Sequence, residues 1–221
     1  MKIRSAWITL CVIAMVAMLG TTLAMAGPSE IGRDVGNQDY YDLVKKLKSN
    51  NTNVDFQALR LSFTKTQDYK PYGADDSAKD AAFDALNKKN YAEALKQAES
   101  VLEKNYVDLD IHLLCLIAHR EMGNSEKSAF HSAVLKGLVG SLYASGDGTT
   151  PEGAIVVISV SEEYFLLKAN GLKVIKNSSM TINDHHCDKM DVENKKTAER
   201  KVIYFNIDIP YGWITRNLQK N

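Results

Sequence analysis

Asn90-Tyr91-Ala92-Glu93-Ala94 and Asn124-Ser125-Glu126-Lys127-Ser128-Ala129 occupy matching places in two consecutive helical segments, and their reading decides the fold. Asn90 and Asn124 stand 34 residues apart, Ala94 and Ala129 35 residues apart. Around them the apolar spacing predicts helices over 78–89 and 91–104, hinged at Lys88-Lys89-Asn90. A second pair follows over 108–122 and 125–143, hinged at Gly123-Asn124. A small residue early in the second helix of each pair lets the two helices approach closely. Two such hairpins cannot bury all of their own faces, so neighbouring elements must cover them.

On the N-terminal side, Tyr40, Leu43, Val44 and Leu47 fall at helical spacing within 39–48, with Asp39 as the expected N-cap. Asp55 caps a second short helix, Phe56 to Phe63, and 64–76 reads as a loop turning at Tyr69-Lys70-Pro71-Tyr72-Gly73. On the C-terminal side, Ser145-Gly146-Asp147-Gly148-Thr149-Thr150-Pro151 ends the helices. The period then changes to that of strands. Ala154 to Val160 is a continuous β-branched run, read as a central strand. A short helix over 162–169 is followed by strands over 172–176, 185–192 and 201–207, and Gly212-Trp213-Ile214 leads an amphipathic tail. The expected architecture is α+β: antiparallel helical hairpins (39–145) packed on a small antiparallel sheet (154–208), forming a single domain over 39–221.

The first 26 residues describe a different task. Lys2 and Arg4 precede an uncharged apolar stretch that closes on Ala24-Met25-Ala26, the pattern of a secretory signal peptide. The strongly apolar part, Ala6 to Leu19, falls short of the roughly 20 residues that span a bilayer. Residues 27–38 are polar and aperiodic, and read as a flexible N-terminus. Export to the periplasm is the expectation, with no membrane attachment once the signal is removed. The remaining chain carries 25 basic and 27 acidic groups, a balance that argues against a nucleic-acid partner. Cys115 and Cys187 remain after cleavage, and an even count in an oxidising compartment permits one disulfide.

Clusters that suggest chemistry each have a structural reading that outweighs it. His112, Cys115 and His119 share one helix face, but the outer pair are ~10.5 Å apart along the axis at 1.5 Å per residue. Ligand bonds of about 2.0–2.3 Å cannot bridge that span, so neither a metal nor another cofactor is expected there. In Asp184-His185-His186-Cys187-Asp188 a strand would point His186 away from Cys187, which removes the pairing a cysteine nucleophile needs. The Gly146-Asp147-Gly148 loop lacks the lysine and the strand-loop-helix order of a phosphate loop. Glu162 and Glu163, with Asp147 and His186, are the residues an acid–base enzyme would use, yet acidic pairs at a helix start are common for electrostatic reasons.

The helical period resembles tetratricopeptide hairpins, without their tryptophan and proline markers. Three further motifs carry a resemblance over nearly the whole exported chain. These are Asp55-Phe56-x-x-Leu59-Arg60 followed by Tyr69-x-Pro71-Tyr72; Ser145-Gly146-Asp147-Gly148 followed by Glu162-Glu163-Tyr164; and Tyr204-Phe205-Asn206-Ile207-Asp208-x-Pro210. Together they resemble a family of exported bacterial proteins classified as a domain of unknown function. The resemblance implies one unit in a bacterial periplasmic setting, and implies no activity.

The functional expectation is therefore a non-catalytic module that binds a protein or peptide partner, with Tyr72, Tyr91, Tyr106 and Arg60 as candidate binding residues. The rival is a small periplasmic hydrolase or lyase using Asp147, Glu162, Glu163 or His186. The A-x-A site predicts cleavage after Ala26, so intact-mass measurement of the exported protein should find a chain beginning at Gly27. A dominant species retaining Met1 would contradict the signal-peptide reading.

Overall fold

The computed structural model describes residues 40–73 and 77–218; the expected signal peptide, the 27–38 segment and the Asp39 cap lie outside the described residues. Helices come first and the sheet last, so the fold is α+β. By its internal contacts the chain divides into two compact units, a helical one ending at Ser141 and a sheet-bearing one beginning at Leu142.

The helical unit holds α1 (Tyr40–Lys48), α2 (Phe56–Phe63), α3 (Ser77–Asn87), α4 (Tyr91–Lys104), α5 (Leu109–Glu121) and most of α6 (Ser125–Tyr143). α1 buries Tyr40, Leu43 and Leu47, as the spacing predicts. Its end is a Schellman turn. Asn50 takes φ 64°, its N–H bonds the Leu47 carbonyl, and the Asn51 N–H reaches back to that of Lys46. Asp55 caps α2 by accepting from the Ala58 N–H at 2.9 Å.

The repeat seen in the sequence is a repeat of turn chemistry. α3 ends with Lys89 at φ 60°, the Lys89 N–H on the Leu86 carbonyl and the Asn90 N–H on that of Ala85. α5 ends with Gly123 at φ 76°, the Gly123 N–H on the Arg120 carbonyl and the Asn124 N–H on that of His119. Both hairpins thus close on the same Schellman motif, after which Asn90 also caps α4 through the Glu93 N–H. The small-residue match is shifted by one from the expectation. Ala94 is fully buried, but its counterpart is Ser128, whose hydroxyl donates to the Leu116 carbonyl, while Ala129 is exposed. That restores a period of 34 at both positions. Ala82, Ala94, Ala98 and Ala118 are solvent-inaccessible and let helices close on a core that includes Leu59, Ile111, Leu114 and Leu138.

In the second unit, β1 (Ile155–Val156), α7 (Val160–Ala169), β2 (Leu172–Ile182), β3 (His185–Asn194), β4 (Arg200–Asn206) and α8 (Asp208–Leu218) follow in order. The sheet order is β1-β4-β3-β2. β2, β3 and β4 pair antiparallel, but β1 runs parallel to β4, so the sheet is mixed rather than antiparallel. The apolar run Ala154–Val160 is not a central strand either. Two of its residues form an edge pairing, and the chain then enters α7. Ala154, Ile155, Val157 and Ile158 are all buried, so the unbroken apolar run reports burial rather than strand length. β2 and β3 turn at Asn183 and Asp184, with φ 50° and 64°, the double left-handed conformation of a type I′ hairpin.

The Ser145–Gly148 motif is a structural turn. A Cβ on Gly146 would lie 2.4 Å from the Gly153 carbonyl oxygen, so only glycine fits. Gly148 takes φ 73°, and its carbonyl accepts from the Tyr204 N–H at 2.8 Å, stitching the loop to β4. Among the described residues no helix is long and apolar enough to cross a membrane.

The paired turns yield an opposed pair of predictions. Lys89→Gly removes the cost of a left-handed non-glycine residue and should raise stability by about 0.5–1 kcal/mol. Gly123→Ala adds a Cβ that meets nothing within 4 Å, so backbone strain alone should lower stability by about 1 kcal/mol. Denaturant midpoints at unchanged slope check both.

Candidate functional site

The helical unit carries a groove of about 820 Å³ formed by α1, α4, α5 and α6 and the segments joining them. Leu47, Leu95, Leu102 and Phe130 supply apolar lining; Lys48, Lys96 and Lys127 are matched by Glu99, Glu103 and Glu126. Tyr106, Cys115, His119 and His131 complete the wall. Charge at the groove is therefore balanced.

Three of the chain's five histidines meet here. His112, fully buried on α5, places Nε2 2.9 Å from the Tyr106 carbonyl oxygen and Nδ1 3.0 Å from His131 Nδ1. The His119 and His131 rings stack with centroids 5.6 Å apart and planes at 21°, and Phe130 sets its edge to His131 at 5.2 Å. Burial holds His112 down at about 4. Burial, aided by repulsion from His112, His119 and Lys127, holds His131 at about 3. His119 is lowered by burial and then by Lys127. All three imidazoles are neutral at ordinary pH. The Cys115 thiol is pushed up to about 12 by burial, then by Asp108 and Glu99, so it is a packed hydrophobe and a poor nucleophile. Among the described residues no group of three or more histidine, cysteine or acidic side chains is arranged to hold a metal ion.

Of the four candidate binding residues, Tyr106 lines the groove. It is 5% exposed and works structurally as well: its N–H donates to the Tyr40 hydroxyl at 2.8 Å. Tyr91 opens α4 half-buried, and Tyr72 lies exposed in a turn outside the groove lining. Arg60 is 2% exposed and donates to the Ser141 hydroxyl at 3.3 Å, which makes it a core tie rather than a contact for partners. Nothing in the sequence marks His131, which is the one histidine on its helix. The signal was the hairpin itself: folding α6 back on α5 at Gly123 brings His131 onto the face that carries His112 and His119.

In the sheet-bearing unit the expected acid–base residues are engaged separately. Asp147 is exposed and holds its own loop, accepting from the Thr149 N–H at 2.8 Å and hydroxyl at 2.7 Å. Glu162 is buried at the start of α7, where Oε2 accepts from the Ile158 N–H at 2.8 Å. His186 on β3 contacts Thr181 and packs against the Tyr211 ring, with centroids 3.6 Å apart. Cys187, also on β3, and Cys115 are buried free thiols. Glu163 is the unusual one. It is fully buried, and neither carboxyl oxygen has a hydrogen-bond partner. Burial first, then the charges of Asp188 and Glu162, raise it to about 9, so it is a neutral acid at pH 7. Asp188 beside it accepts from the Ser179 hydroxyl at 2.5 Å.

A proton held in the folded state and released on unfolding makes stability fall as pH rises. The Glu163 contribution is complete below its ordinary value of 4.5 and is lost progressively as pH climbs towards about 9. Below 6.5 the three histidines, held low by burial, act in the opposite sense, so it is above about pH 7 that the melting temperature should decline, and Glu163→Gln, which keeps shape without charge, should flatten the decline. An unchanged slope in the variant would assign the pH dependence elsewhere.

No curated protein and no solved structure matches the chain. A family model does, over residues 29–213, which takes in most of both units and all three of the motifs that suggested kinship. The chain belongs to that family, described as a domain of unknown function (DUF4919).

Proposed function

We propose that this chain is an exported, non-catalytic binding module whose helical unit takes a peptide segment of a partner protein. The observation that carries the reading is the groove of about 820 Å³, with its apolar lining and its three lysines balanced by three glutamates. Such a lining rewards burial of apolar side chains without demanding a strongly charged ligand. Helical hairpins of this kind form binding surfaces with no catalytic residues.

The hydrolase or lyase reading has one observation in its favour. Glu163 is a neutral buried carboxyl near Asp188 and Glu162, and such divergent carboxyls occur in acid–base sites. Against it, Glu162 is committed to the backbone at Ile158 and Asp147 to its own turn. The binding reading accounts for more of the groove's lining.

Screening purified mature protein against an immobilised library of short synthetic peptides tests the proposal. Phe130→Ala and Leu95→Ala should each weaken the best binders by roughly 1–2 kcal/mol while leaving the thermal midpoint close to wild type. Glu162→Gln should leave binding intact. Binders indifferent to both groove substitutions would count against the groove.

A further inference from the structure

Hydrogen-bond polarity in the histidine cluster restricts what the groove can accept, and the restriction follows from elementary donor and acceptor rules. A carbonyl oxygen only accepts. The contact between His112 Nε2 and the Tyr106 carbonyl at 2.9 Å therefore puts the His112 proton on Nε2. His112 is fully buried and neutral, so its Nδ1 carries a lone pair. The 3.0 Å contact between the two Nδ1 atoms must then be donated by His131. A neutral His131 with its proton on Nδ1 has a bare lone pair on Nε2, and that nitrogen has no partner among the described residues. His119, 8% exposed and lining the same groove, has a buried Nδ1 that also lacks a partner. The groove wall thus carries a fixed acceptor on His131, packed among the rings of His112, His119 and Phe130, with the unpaired His119 Nδ1 buried behind it.

We infer that the groove is specific for a peptide anchored by an aromatic side chain that carries a hydrogen-bond donor, tryptophan or tyrosine, whose N–H or O–H bonds His131 Nε2. This inference rests on the peptide-binding reading and adds the class of residue recognised. Surrounding imidazole and phenyl rings favour an aromatic body over an aliphatic one. The lone pair selects a donor: an anchor without one leaves a desolvated acceptor unpaired, which penalises phenylalanine and leucine. Carboxylate side chains, which only accept, are excluded by the same polarity. His112 acts as a positioning residue, because its bond to Tyr106 sets the tautomer of His131.

The test uses full-length mature protein and fluorescent peptides of one sequence, with tryptophan, 1-methyltryptophan, phenylalanine or leucine at the centre. Tryptophan should bind best, and methylating its indole nitrogen should weaken binding roughly five- to tenfold. A tyrosine and O-methyltyrosine pair should repeat the loss. His131→Phe should erase the difference within each pair. In the wild-type protein, long-range nitrogen–proton NMR correlations should show His131 as the Nδ1–H tautomer and His112 as the Nε2–H tautomer, with His131 Nε2 shifting on tryptophan-peptide titration. Equal binding of methylated and unmethylated peptides, or an Nε2–H tautomer at His131, overturns the inference while leaving peptide binding in place. No binding by any of the peptides overturns the peptide reading and this inference with it. Free tryptophan binding as tightly as the peptide would overturn the peptide occupant in favour of a small molecule.

Discussion

The backbone N–H and carbonyl of Tyr106, members of successive peptide groups in the connector between α4 and α5, both make buried hydrogen bonds, and the helical unit is organised around satisfying the two. Tyr40 from α1 takes the N–H through its hydroxyl, and His112 from α5 takes the carbonyl through Nε2. An unpaired backbone group at such a site costs about as much as a lost buried hydrogen bond, ~1–3 kcal/mol each. The arrangement therefore holds α1 against the connector and locks the His112 ring. Consequences spread from there. Desolvation of the Tyr40 hydroxyl raises it to about 12, keeping it protonated, and the fixed His112 ring dictates the proton on His131. A requirement of the backbone ends up setting the polarity of a groove wall.

The sheet-bearing unit shows the opposite economy. Its turns are well satisfied: Gly146 and Gly148 allow the Asp147 loop to meet β4, and Asn183-Asp184 close the β2–β3 hairpin. Glu163 stands apart, a carboxyl buried with no hydrogen-bond partner close to two other acids. Staying neutral avoids the far larger cost of burying a charge. Its neighbour in sequence, Glu162, is also buried, yet accepts from the Ile158 N–H at the head of α7. Two adjacent glutamates thus have unlike roles, one closing a helix start and one held as an acid.

Much of the fold was legible. Helix spacing in 39–63 placed α1 and α2, and the Asp55 cap was correct, because a helix start is written in three or four consecutive residues. The repeat at Lys88-Lys89-Asn90 and Gly123-Asn124 was legible for the same reason: a Schellman turn needs one residue that tolerates the left-handed region. The candidate site was less so. Tyr91, Tyr72 and Arg60 are candidates by residue type, and residue type does not say which side of a helix or turn meets a groove. Arg60, a candidate contact by its charge, is a core tie to Ser141, 81 positions away in the chain.

The sequence alone determined local matters: where helices begin and end, where the period changes from helix to strand, and which loops need glycine. These depend on backbone sterics and on hydrogen bonds spanning a few residues. Tertiary structure decided what no local window contains. Pairing of β1 with β4 made a presumed central strand an edge, and the α5–α6 hairpin carried His131 to His112 and His119. Burial, which sums over many distant contacts, then kept those rings neutral. Proximity and desolvation are properties of the packed chain, so the groove and its acceptor nitrogen exist only once the helices have closed on one another.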